Sequence, residues 1–177
     1  MKSDTIKIDS KGNGFADAVL ETQKAAQFRG LNHKDSIQLQ LLTEEMLSLA
    51  RSVTGEMEAS FWLESEGKSF DLCMTTKTVM DQEKRYLLIS SATSRKNEAA
   101  NSFLGKLRDV FEQAMLAEAA SVNEVPDEAI NDVYNRFIDE TEWDQYEQSI
   151  LSRLADNVKI AIKGGLVKMT VSKQFAE

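Results

Sequence analysis

Apolar residues recur along this chain at two different spacings, and the switches between the two mark out its elements. Between residues 5 and 9, Ile6 and Ile8 alternate with polar neighbours, the period-two signature of a half-buried strand. The turn-forming run Lys11-Gly12-Asn13-Gly14 breaks that pattern. From residue 15 to 28 the spacing becomes helical, with Phe15, Val19 and Ala26 on one side and Gly30 placed to close the helix in a left-handed conformation. Residues 34–53 carry the clearest helical stripe of the first half: Leu39, Leu42, Met46, Leu49 and Val53 recur at steps of three and four. Asn32 or Asp35 caps its start, and Gly55 ends it.

The period then returns to two. Met57, Ala59, Phe61 and Leu63 alternate with polar residues, and so do Phe70, Leu72 and Met74, with Ser65-Glu66-Gly67-Lys68 as the turn between them. Such a pair of runs predicts a β-hairpin. Residues 81–90 read as a helix, although Tyr86-Leu87-Leu88-Ile89 also fits a buried strand; Ser90 to Ser94 reads as a connection. The strongest helical pattern begins at Asn97 and runs through Ala100, Phe103, Leu104, Leu107, Val110, Phe111 and Ala114. A break falls at 121–126, Asp127 caps a further helix striped by Ile130, Val133, Tyr134, Phe137 and Ile138, and residues 142–156 form the last one, with Tyr146, Ile150, Leu151 and Leu154 inward. A closing hairpin spans 158–163 and 166–173 around Gly164-Gly165. These elements predict a single α+β domain over residues 1–177, a mostly antiparallel sheet covered on one face by helices.

Composition narrows the chemistry. Cys73 is the only cysteine and His33 the only histidine, so an intrachain disulfide, a thiolate metal cluster and a multi-histidine site are excluded. A net charge of −8 argues against nucleic acid as the main partner. No apolar run approaches the roughly 20 residues that cross a bilayer, and the N-terminus lacks the apolar core of a secretory signal, which predicts a cytoplasmic protein without membrane association. Cys73 falls on the polar side of its strand and reads as a small buried hydrophobe; Trp62 and Trp143 read as packing or interface residues, and His33 as a cap or surface residue.

Candidate functional residues cluster in three places. Glu44 and Ser48 stand four apart on the helix of residues 34–53 and project side by side, either as a solvated helix edge or as ligands reaching a magnesium ion through water. Glu45, with Leu49 four residues on, reads as a surface charge or as a partner of a nearby basic residue. Ser94-Arg95-Lys96-Asn97 precedes the strongest helix, where Arg95 and Lys96 beside free N–H groups make either an anion site or an ordinary solvated loop. Lys77 and Thr78 end the first hairpin.

The element order, together with LLTEEMLSLARSV, EASFWLESEGKSFDLCMTTKT and SILSRLADNVKIAIKGGLVKMTVSK, resembles the histidine-kinase-like ATPase (Bergerat or GHKL-fold) superfamily, nearest the bacterial anti-sigma-factor serine kinases and related ATP-binding proteins. The resemblance implies a two-layer Bergerat-like core from residues 1–78 and 142–177, with residues 79–141 as an enlarged helical lid or insertion. It places Glu44 at the family's water-orienting glutamate and Ser48 at its magnesium-binding asparagine, and Lys77 and Thr78 facing the pocket; a phosphate at Arg95 and Lys96 would complete an ATP–magnesium site. Several family determinants differ here. Serine replaces asparagine at Ser48, and Thr75-Thr76-Lys77-Thr78 stands where the adenine-reading aspartate and its glycines belong. Glu142-Trp143-Asp144 occupies the place of the phosphate-binding glycines. The resemblance therefore implies an ATP-binding-type regulator with weak or lost nucleotide binding, acting mainly on a protein partner such as a sigma factor or an antagonist-like regulator, with homodimerisation as a family habit. The alternatives are an active magnesium-ATP-dependent serine kinase or ATPase with a diverged site, and an unrelated α+β interaction domain.

Overall fold

The structure, a computed structural model, describes residues 1–55, 58–100, 112–113, 115–116 and 150–176. In chain order these form β1 (Ile6–Asp9), α1 (Phe15–Phe28), α2 (His33–Thr54), β2 (Glu58–Glu66), β3 (Ser69–Lys77), α3 (Gln82–Ser91), a 3₁₀ turn (Glu98–Ala100), β4 (Asn157–Lys163) and β5 (Leu166–Gln174). Residues 112–113, 115–116 and 150–154 are also helical. The five strands make one sheet in the order β1-β2-β3-β5-β4, and every neighbouring pair is antiparallel. The α+β class and the antiparallel sheet are thus as the spacing predicts. The reading of 97–114 as one long helix, the break at 121–126, the Asp127 cap and Trp143 lie largely or wholly outside the described residues.

Register explains why one side of the sheet is mostly apolar. Ile8, Ala59, Thr76, Val167 and Ile162 lie in one row across the five strands, and Ile6, Phe61, Met74, Met169 and Ile160 in another. Both rows point to the same side because the side-chain period of a strand is two. Those apolar positions join one continuous core with Ala18, Ala25 and Ala26 of α1, Leu39 to Val53 of α2 and Leu88 of α3. All five residues of the predicted α2 stripe are buried.

Local chemistry sets the element ends. Gly30, at φ 69°, follows α1, and the N–H groups of Gly30 and Leu31 return to the carbonyls of Gln27 and Ala26, the paired closure typical of a glycine-terminated helix. Asn32 caps α2 by accepting from the Asp35 N–H at 2.9 Å, and Asp81 caps α3 by accepting from the Lys84 N–H at 2.8 Å. Residues 82–91 are therefore helix, and Ser90 and Ser91, read from sequence as connection, belong to its last turn. In the first hairpin the strands run on to Glu66 and resume at Ser69, which shortens the predicted four-residue turn to Gly67-Lys68. In the second, Gly164 has φ 59°, whereas Gly165 is required for a different reason: a Cβ there would stand 2.6 Å from the Thr78 carbonyl oxygen.

Each edge of the sheet is partly covered. Along β4, the Asn97 side chain behaves as a short stretch of neighbouring strand, accepting from the Ile162 N–H at 2.8 Å and donating to the Ile162 carbonyl at 3.0 Å. Thr93 does the same for Val158, through its N–H and its hydroxyl. Beyond β1, the loop to α1 folds back so closely that a Cβ at Gly14 would run into the Lys7 carbonyl oxygen. Covering an edge in this way removes a template for unwanted strand pairing.

Candidate functional site

The position of Glu44 follows from how fully α2 is enclosed. Thr43, beside it, is fully buried and its hydroxyl lies 3.0 Å from that of Thr22 on α1. The buried residues of α2, from Ser36 to Val53, keep to one side of the helix, and Ile37, Glu44 and Arg51, seven apart, run along its exposed side with His33, Lys34 and Ser52. Glu44 is accordingly on the outermost line of α2, and Ser48, one turn on, is half-buried. Of the two readings of Glu45, the surface charge does not hold: the residue is half-buried, and its Oε2 is shielded from solvent.

The other candidates lie on different elements. Lys77 is exposed at the last position of β3; Thr78 follows it, half-buried, its N–H donating to the Gly165 carbonyl at 2.9 Å. Arg95 and Lys96 are exposed between α3 and the 3₁₀ turn, and Arg95 has φ 50°, an unusual value for a residue with a side chain. No hydrogen bond or ion pair among the described residues joins Glu44, Ser48, Lys77, Arg95 and Lys96 to one another. Nor do the described residues bring three or more His, Cys, Asp or Glu side chains together as a metal site would. Among them, no helix is long and apolar enough to cross a membrane.

Where an adenine-reading carboxylate would belong, Thr76 faces the core and its hydroxyl donates to the Glu58 carbonyl at 3.0 Å. That hydroxyl is committed to holding β3 against β2. Lys77 instead contributes to an open groove of about 570 Å³ at the end of the sheet, lined also by Lys7, Asp9, Glu58, Ser60 and Thr75. Asp9 is the best-ordered carboxylate there. It accepts from the Lys11 N–H at 2.9 Å, the Asn13 N–H at 3.1 Å and the Asn13 side-chain amide at 2.6 Å. Chiefly that amide holds the Asp9 carboxyl below its usual value, so it is an anion already satisfied by its own loop and poorly suited to act as a base.

The side of the sheet away from the core is polar but not empty of structure. Trp62, Cys73, Thr170 and Lys159 form one row across it, and Lys7, Ser60, Thr75, Lys168 and Ala161 the next. Trp62 donates its indole N–H to Glu64 at 2.9 Å, and this bond, with Lys2 at 3.2 Å, keeps the Glu64 carboxyl low. Cys73 sits beneath these neighbours, and burial pushes its thiol up, away from the thiolate form a nucleophile needs. Its sequence reading as a small buried hydrophobe stands.

Sequence reasoning missed Asn97 as an edge-capping residue and the Thr22–Thr43 pair, both of which depend on contacts between distant parts of the chain. No protein-family model matches this chain, and no curated protein matches it.

Proposed function

We propose that this chain is a two-layer, Bergerat-like regulatory domain of the bacterial anti-sigma-factor kind, working mainly through a protein partner and with nucleotide binding weak or lost. The observation that carries the reading is the order of elements within one antiparallel sheet. A strand, two helices and a hairpin precede an inserted helical segment and a closing hairpin, and the two hairpins meet at β3 and β5. Loss of nucleotide binding is supported by the groups at the corresponding positions. Glu44 points outward from α2, Ser48 lacks an amide carbonyl, and the Thr76 hydroxyl is spent on the backbone of β2. The partner, a sigma factor or an antagonist-like regulator, is inferred by fold analogy.

Calorimetric titration with magnesium and ATP tests the reading. The expected result is no saturable heat up to about 1 mM nucleotide, an affinity weaker than about −4 kcal/mol. Saturable, magnesium-dependent binding that disappears in Glu44→Ala would instead make the protein an active kinase or ATPase with Glu44 at its centre.

A further inference from the structure

The sheet face away from the core carries five exposed lysines in a chain whose net charge is −8. Lys7 and Lys168 share one row with Ser60 and Thr75, Lys77 and Lys163 flank Leu166 in the next, and Lys159 ends the row that holds Trp62. None of the five forms a salt bridge among the described residues, whereas Lys2, Lys24, Lys84 and Lys173 all do. The acidity of the chain lies elsewhere: between residues 101 and 149, Asp and Glu outnumber Lys and Arg by twelve to three. Trp62 stands at one corner of this patch, three strands from Lys159 in the same row, partly exposed, with Lys2 at 5.0 Å and Lys168 at 6.0 Å from its ring centre. Its N–H bond to Glu64 fixes the ring before anything binds.

We propose that this face is a docking surface for a short acidic segment of a partner protein, with the lysines binding its carboxylates and Trp62 as an apolar contact at the edge. Lysines without a salt bridge among the described residues, beside a pre-ordered tryptophan, have the composition of a binding surface, because Trp contributes large contact area at little entropic cost and unlike charges steer encounter. The lysine patch is also bounded. The Glu64 carboxylate, bonded to Trp62 itself, bounds it on one side together with Asp71 in the same row. Asp9 and Glu58 close the opposite corner. A long polyphosphate chain crossing the face meets these carboxylates, while a few acidic side chains fit within them. The proposal rests on the protein-partner reading above only in taking the ligand to be a protein, and nucleotide titration does not bear on it.

The test uses the full chain with Trp143→Phe, which leaves Trp62 as its only indole. An acetylated octapeptide alternating Glu and Ser is titrated at about 20 mM salt, where surface charge is weakly screened. The expected result is a saturable change in Trp62 emission, absent with the Gln-Ser peptide. Lys159→Gln combined with Lys168→Gln, two exposed changes whose folding is checked by circular dichroism, should weaken binding about five- to tenfold. Three results overturn the proposal: no saturable change at about 5 mM peptide, which excludes even millimolar affinity; tighter binding of an oligothymidylate of equal charge; or self-association in sedimentation that the lysine changes abolish, which makes a second copy the occupant.

Discussion

Phe61 and Trp62 are consecutive residues of β2, both large and aromatic, and the pleat sends them to opposite sides of the sheet. Phe61 is fully buried between Ile6 and Met74, in a row that is apolar across all five strands. Trp62 lies partly exposed between cross-strand Cys73 and two lysine side chains. The same backbone and the same hydrogen bonds serve both. The core face is constrained by close packing, so each of its positions is answerable to the fold. The other face has only to stay compatible with a strand, and is free to carry charge and an aromatic ring for a purpose other than folding.

The most forceful way to break the comparison is truncation on the buried side. Phe61→Ala is expected to cost about 3–5 kcal/mol, the lost transfer energy plus a cavity that the surrounding rows cannot fill. Urea unfolding at neutral pH measures it. A cost below about 1 kcal/mol would mean that the Phe61 row collapses readily and the core face is less close-packed than its burial implies.

Second in size is the edge of the sheet, where the two faces meet solvent. Asn97→Ala removes a side chain that satisfies both the N–H and the carbonyl of Ile162. Leaving these groups partly unpaired should cost about 1–3 kcal/mol. It should also expose the β4 edge, so light scattering on warming should rise earlier than in the parent protein. Unchanged aggregation with lowered stability would assign Asn97 to stability alone.

Local pattern was enough to place most of the frame. Residues 15–28 were bounded correctly because the Gly14 and Gly30 conformations are written into the residue type, and both hairpins were visible as alternation around Gly67 and Gly164. What stayed hidden depends on distance along the chain. Asn97 acts on a strand 65 residues later, and Thr22 on a helix residue 21 later, and no period of two or 3.6 records either partner. The site was legible even less. Alternation showed Lys159, Lys163 and Lys168 to be on the polar side of their strands, but only the strand order sets them on one face with Lys7, Lys77 and Trp62. Likewise the helical stripe placed Glu44 next to buried positions, whereas its outward line depends on the α1 contact through Thr43.

The open side should respond far more mildly than the core. Trp62→Ala is expected to lower stability by less than about 1 kcal/mol, since the indole is partly in water and its polar partners are exposed charges. A loss near that of Phe61→Ala would end the contrast, because Trp62 would then be part of the fold's packing and not a surface feature.

The smallest effect sharpens the comparison at its one exception. Lys173 is a lysine in a core-side row, opposite Phe70, and unlike the lysines of the open face it is paired, to Asp156 at 2.8 Å. The Lys173 ammonium first, and then the Gln174 N–H at 2.7 Å, hold the Asp156 carboxyl below its usual value of 3.8. A carboxyl lowered on folding contributes stability above its unfolded value, and that contribution is lost as pH falls through the folded value. Asp156→Asn should therefore destabilise by a few tenths of a kcal/mol at neutral pH, a figure discounted because the Asp156 side chain is 49% exposed. The difference from the parent should shrink as pH falls through the folded value of the Asp156 carboxyl, which lies below 3.8, and vanish once the parent aspartate is itself neutral. Urea midpoints at three pH values read this directly. A difference that persists unchanged into acid would show that Asp156 contributes through contacts independent of its charge, and that the one lysine on the core side is no better paired than those on the open face.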